Sequence, residues 1–575
     1  MREVTMALKR ICGSVSGWAF VLGMGMLFFL MRPALAQETT ATRESLPEIY
    51  LQEYTIVGLE KVVLPEKERR VIFKKVPGRW VENRRIQQKF APLQVFAFSR
   101  LKPTIVAPPE INRLSARVSY GSFNTLKADV LTQFRVRHVQ PYIRLAYERS
   151  DGHLPGARMN GLRLRGGVEG QLWENNLVQV QLQVEQQNQG LWGTALPLDS
   201  LWEVNRQFLR GRLHWQQRWA ERWLLDLNTG WMQESHQSFW NTRQRFLHGE
   251  MTLQYQWPQT TLFLMGRYET VQTDIRNSTR STHAPVQTVR ETLPAARVGL
   301  AHQFGLLAFR VGFHLQSTGG MDTSAQFQVW PQFEATMRLA PGLHLTGSFE
   351  AGYRLLQNRY FSEFLLPADF STYAVTRVQQ DWQLGLKYTP SAAFQMNYML
   401  NYLDASNYPV VESLLRNGTG SATTPLWQYR YADQVRLIEH TFHLLGKMSA
   451  RFRVEGWIMF RQTRLEGTFT DGQSVVEKDV PYLPDLEAWV DARWQLWRET
   501  YFHLSTRFVG ERFDDLNNTD PLKPYVLINA QIRANLGRHF LMILRGENLL
   551  NQTYDLWRTM EAAPIRGSFT LGIRF

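Results

Sequence analysis

The sequence predicts an all-β fold: a transmembrane antiparallel β-barrel of about 22 strands behind a short, plug-poor N-terminal segment. Three observations carry this. From Leu114 onward apolar and polar residues alternate with period 2, and no 3.6-residue period is sustained. The links between the alternating runs are tight and long by turns, and the chain ends in a strand with one apolar face and an aromatic terminus.

In chain order, the first element is a leader. Lys9 and Arg10 precede an apolar run from Trp18 to Met31, and Ala34-Leu35-Ala36 places small residues before Gln37, the pattern of a secretory signal peptide over residues 1–36. The run is shorter than the roughly 20 residues a membrane helix needs. The only cysteine, Cys12, falls within this leader, so the exported chain has no thiol for a disulfide, a zinc site or a lipid anchor.

Composition points the same way. The chain has 19 Trp, 20 Tyr and 33 Phe but a mean hydropathy of −0.32. A barrel in lipid yields this mixture because half of each strand faces a polar lumen while aromatic rings collect at the two interfaces. The net charge of +14 drops to +11 once the leader removes Arg2, Lys9, Arg10 and Arg32 together with Glu3. An exported chain with that balance is expected to meet anionic lipid headgroups and no nucleic acid.

Residues 37–112 form a basic N-terminal periplasmic segment. Between Lys61 and Lys89 lysine and arginine far outnumber glutamate, and Pro65, Pro77, Pro92 and Pro103 interrupt any long element. Apolar residues are too scattered for an autonomous core, although Tyr54-Thr55-Ile56-Val57 and Val71-Ile72-Phe73 are β-prone. The segment is either a reduced plug or a periplasmic tether. As a plug, its cations would meet lumen carboxylates such as Glu185, Glu350 and Asp491.

Residues 113–575 make up the barrel. Val178, Val180, Leu182 and Val184 alternate with Gln179, Gln181, Gln183 and Glu185, and Val526, Ile528, Ala530, Ile532 and Ala534 with Leu527, Asn529, Gln531 and Arg533. Tight links fall near Glu174–Asn175, Pro258–Gln259, Phe304–Gly305 and Gly537–His539. Long ones fall near Asn188–Trp202, Ser235–Arg243, Leu356–Ala374, Asp404–Leu426 and Glu466–Pro484. A barrel inserted from inside the cell keeps its periplasmic turns short and lets its outer loops grow, whereas a soluble sandwich has no reason to sort loops by parity. An even strand count puts both termini on the periplasmic side of the outer membrane. Trp173, Trp202, Trp219, Trp257, Trp427 and Trp497 sit beside strand ends, where an interfacial girdle belongs.

Several stretches resemble the TonB-dependent outer-membrane receptor family: Val118 to Thr125, Arg359 to Phe364, Trp382 to Tyr388, Arg507-Phe508-Val509-Gly510 with Asp514-Asp515, Gly546 to Tyr554, and Pro564-Ile565-Arg566-Gly567. The resemblance spans residues 113–575. It implies a ligand-uptake barrel in the outer membrane, with Glu53, Tyr54, Thr55, Ile56 and Val57 similar to a TonB box. It also implies that the terminal strand, with Phe569, Leu571, Ile573 and Phe575 on one face, is the signal read by the barrel-insertion machinery. The expected partners are outer-membrane lipid, that machinery, TonB or another periplasmic partner, and a transported ligand; no cofactor is expected. The family's barrels hold a globular plug, for which the 76 residues from Gln37 to Asn112 are short. That shortage keeps a second reading open, a plugless docking barrel that holds a partner without transporting anything.

No enzyme is expected. His236, Ser238, His283 and Asp322 lie in predicted loops with no nucleophile motif around them. No metal site is expected either, because His138, His302, His314, His440 and His443 are widely spaced, with His440 and His443 on opposite faces of a strand.

Overall fold

The computed structural model describes residues 114–575 apart from 137, 155–156, 172, 174, 191–202, 220–221, 238–239, 278–286, 319–325, 355–367, 370–374, 414–426, 470–472, 498 and 558–559. The leader, the 37–112 segment and Glu53–Val57 lie outside the described residues.

All described regular structure is β. The first half of the ring is β1 (Leu114–Gly121), β2 (Thr125–Gln133), β3 (Val139–Ser150), β4 (Met159–Gly170), β5 (Asn176–Gly190), β6 (Glu203–Trp219), β7 (Trp223–Gln237), β8 (Trp240–Gln256), β9 (Thr260–Asn277), β10 (Gln287–Phe304) and β11 (Leu307–Thr318). The second half is β12 (Gln326–Ala340), β13 (Leu343–Arg354), β14 (Thr376–Ser391), β15 (Phe394–Ser406), β16 (Gln434–Lys447), β17 (Phe452–Thr468), β18 (Leu486–Trp497), β19 (Thr500–Val509), β20 (Tyr525–Leu536), β21 (Phe540–Glu547) and β22 (Arg566–Arg574). The main sheet has 23 strands, but Ser474–Lys478 pairs only with the far end of β17, so 22 strands make the ring. Each ring strand is antiparallel to its sequence neighbours, and β1 pairs with β22 from Ser115↔Arg574 to Gly121↔Ser568. Leu114 and Phe575 complete the seam with backbone hydrogen bonds of 3.2 and 2.8 Å. Closure leaves no sheet edge, the condition for a β-structure to span lipid.

The register explains the alternation. Ala116, Val118 and Tyr120 stand opposite Ile573, Leu571 and Phe569, and this apolar row set continues round the outside through Leu182, Leu209, Leu253, Leu264 and Val298. The other parity faces the lumen and is polar; at the seam Ser119 Oγ lies 2.7 Å from Thr570 Oγ1. Phe569, Leu571 and Phe575 are 42, 56 and 57 % exposed, which in a transmembrane barrel is exposure to lipid.

Ten links at one rim run from two to five residues, including Gly305-Leu306 between β10 and β11 and 171–175 between β4 and β5. Their reversals use left-handed backbone at Gly305 (φ 56°) and Asn175 (φ 61°), the residue types that adopt it most readily. Trp173, Trp219, Trp257 and Trp497 are exposed at this rim. The side chains of Trp202 and Trp427 lie outside the described residues. At the opposite rim most links are long, up to 407–433 between β15 and β16. One expectation fails there: the link between β7 and β8 is only 238–239, because both strands run on past the apolar belt. Beyond the belt both faces meet polar surroundings, so Arg243, Gln244 and Arg245 carry no alternation to read.

Candidate functional site

The lumen-facing positions are rich in arginine, and the strand register brings carboxylates to them. Arg163 grips Glu185 through Nε and Nη2, both at 2.7 Å. Arg297 donates to Glu350 at 2.9 Å, and Arg354 reaches Glu350 at 3.6 Å and Asp381 at 2.8 Å. Asp491 is held by Arg493 at 3.0 Å and by His503. The three carboxylates expected to receive cations of the 37–112 segment are therefore already engaged by the wall. The segment itself lies outside the described residues; a low-dielectric wall favours pairing of its own charges where they stand.

On the lumen side of β6–β11 the wall opens into a recess of about 290 Å³. Asp226, Asn228 and Glu250 line one side and Arg297 and Arg310 the other, with Phe263 between them. His214 Nε2 and Gln216 Nε2 hold the two Asp226 oxygens at 3.1 and 2.6 Å. The Phe263 ring lies flat against the wall because Gly299 and Gly312 are beneath it: a Cβ at Gly299 would come within 2.4 Å of Phe263 Cζ. Arg310 stacks over the ring at 5.1 Å from its centroid. The recess thus offers carboxylate and guanidinium groups across an aromatic floor, a lining suited to a polar, charge-bearing solute.

Over β15–β20, the long loops fold into a cap with its own core. Val410, Ala432, Val435, Leu465, Phe469, Val475, Val480 and Leu516 are buried together, with Tyr408 and Leu483 packed on them. Arg461, 4 % exposed, ties this cap to the wall by donating to Glu439 at 2.9 and 3.2 Å and to the Pro484 carbonyl at 3.1 Å. Asp485, at the foot of the cap, has its carboxyl pushed above the ordinary range by burial, with Asp479 and Glu511 adding to the effect against Arg461. Its ionisation works against the folded cap: the penalty is absent below the ordinary value of 3.8 and grows as pH rises through the shifted value. Asp485→Asn is accordingly expected to slow proteolysis of the 469–485 loop at pH 7 and to match the native chain at pH 3. Equal cleavage rates at both pH values would contradict this.

The residues that carried the family resemblance lock these loops. Asn548 Nδ2 donates to the Gln552 and Ala563 carbonyls at 2.9 and 3.2 Å, pinning the start of the last long loop to its end. Tyr554 stacks on Tyr525 at 4.0 Å, and burial pushes its phenol up to about 12. Arg512 packs over Tyr525 and donates to the Asp555 carbonyl. No period or motif marks the cap core, whose members are apolar residues scattered through polar loops and the adjoining strand ends.

Among the described residues no group of three metal-binding side chains occurs. His440 contacts Tyr398 Oη on the exterior at 2.9 Å and His443 contacts Glu455 in the lumen at 3.3 Å, on opposite faces of β16. Ser238, His283, Asp322 and the His236 side chain lie outside the described residues.

No protein-family model matches the chain, and no curated protein matches it in sequence. Solved structures do. The ferric-catecholate import receptor Fiu from E. coli K12 superposes with a TM-score of 0.60 at 11% identity, covering 81% of this chain and 82% of its own. The FrpB iron transporter from Neisseria meningitidis gives 0.63 at 10% identity, covering 81% and 82%. The siderophore receptor PiuA from Acinetobacter baumannii gives 0.61 at 10%, covering 80% and 81%. The chain therefore has the fold of the TonB-dependent receptor barrels, as a closed transmembrane ring of 22 strands.

Proposed function

We propose that the chain is an outer-membrane barrel that passes a ligand through its lumen, with both termini in the periplasm and the long loops outside. The observation that carries this reading is the ring of 22 strands with a polar, internally charge-paired interior, matched in fold to receptors and transporters for iron complexes. Barrels of this size are too wide for wall side chains to fill. The recess on β6–β11 and the capped loops are the surfaces where ligand would be held. Energy coupling would come through Glu53–Val57 engaging TonB or another periplasmic partner.

Planar-bilayer conductance of the full chain and of a chain lacking 37–112 tests this. A segment that gates the lumen predicts low conductance with it and an open pore without it. A barrel closed in both forms would favour the docking reading, for which the ordered loop cap is the supporting feature.

A further inference from the structure

We propose that the outer face of β8–β10, immediately above the apolar belt, binds the phosphates of an anionic lipid in the surrounding leaflet. The outward residues of β8 read Tyr255, Leu253, Met251, Gly249 and Leu247, and then change abruptly to Arg245 and Arg243. On β10 they read Leu300, Val298, Ala296 and Pro294, followed by Thr292 and Arg290. The strand between, β9, passes from Leu262, Leu264 and Tyr268 to Thr270, Gln272 and Asp274.

The register sets these groups side by side. Arg245 and Arg290 both stand opposite Gln272, from its two sides, and Arg243 stands opposite Asp274. Two strand spacings separate Arg245 from Arg290 by about 10 Å, and two residues along β8 separate Arg245 from Arg243 by about 7 Å. Among the described residues the one carboxylate on the patch is Asp274, whose Oδ1 accepts from Gln272 Nε2 at 3.1 Å and from Thr288 Oγ1 at 3.0 Å, so three guanidiniums face a single negative charge. Among the described residues none of the three arginines is ion-paired. On the lumen face of the same wall the opposite holds, with Arg267, Arg297 and Arg310 each beside a glutamate.

Three unpaired guanidiniums this close repel one another unless an anion lies among them. Their stems can lie along the apolar belt while the forks reach headgroup level, where a planar guanidinium takes phosphate oxygens two at a time. The spacing suits a lipid carrying two phosphates. Only the choice of leaflet rests on the outer-membrane reading above.

The test uses the full chain, purified in a zwitterionic detergent and titrated with cardiolipin as the two-phosphate lipid, phosphatidylcholine as the neutral control, and inorganic phosphate. Retained lipid is read by native mass spectrometry. At about fivefold per arginine, Arg243→Gln/Arg245→Gln/Arg290→Gln is expected to weaken cardiolipin retention on the order of 100-fold, while the matching lysine triple stays within about tenfold of native. Heat-modifiable mobility reports folding of each variant; if the glutamine triple does not fold, Arg245→Gln and Arg290→Gln singly carry the same expectation at about fivefold each. Equal retention by native and glutamine chains overturns the proposal. So does displacement of cardiolipin by inorganic phosphate at equal phosphate concentration, which would mark a soluble-anion site. Should the native chain fractionate away from the outer membrane, the function proposed above fails while the micelle result stands or falls alone.

Discussion

Deletion of Phe575 is expected to leave the chain in the periplasm, unassembled and protease-sensitive. The residue does two things at the seam. Its backbone exchanges hydrogen bonds with Leu114, the last rung joining β22 to β1, and its ring lies against His539 at 5.2 Å on the exterior. Unpaired backbone groups at a barrel seam face hydrocarbon, where each costs several kcal/mol. The row Phe569, Leu571, Ile573 and Phe575 is also the apolar face that we propose is offered to the insertion machinery. Heat-modifiable protein at normal levels in the outer membrane of cells making the shortened chain would refute the assignment.

Arg461→Ala is expected to have the next largest effect, and a local one. The substitution strips Glu439 of its buried cation and the Pro484 carbonyl of a donor, and breaking such a pair costs about 3–5 kcal/mol. Because the ring strands keep their ladders, the loss should appear as opening of the cap. Amide exchange in 473–485 should accelerate by roughly 100-fold or more while exchange in β1–β5 is unchanged. An unaltered exchange rate in that loop would show that the hydrophobic cluster alone holds the cap.

The ring was legible in the sequence because lipid imposes a simple rule. Where one face meets hydrocarbon and the other water, the code has period 2, as in Val178–Glu185 and Val526–Ala534, and parity of loop length follows from the direction of insertion. The seam obeys the same rule: Ala116, Val118 and Tyr120 match Ile573, Leu571 and Phe569 across it. Legibility ended where the rule ends. Above the belt, β7 and β8 continue with no alternation, so a two-residue link looked like a long loop. Which lumen arginine meets which carboxylate depends on register between strands, and no single strand shows that Glu350 on β13 is reached by Arg297 on β10. The cap core draws on residues from Val410 to Leu516 whose proximity is purely tertiary.

The central claim, a polar conduit inside an apolar transmembrane wall, is tested most directly by cysteine accessibility, since the only native cysteine, Cys12, lies in the proposed leader and outside the barrel strands. Glu250→Cys lines the recess, whereas Leu264→Cys and Val298→Cys replace exterior residues that are 54 and 57 % exposed. In intact outer membranes lacking the 37–112 segment, a water-soluble maleimide is predicted to label the first and spare the other two, with all three labelled after unfolding. Labelling of Leu264→Cys and Val298→Cys in the membrane, with Glu250→Cys protected, would contradict the account.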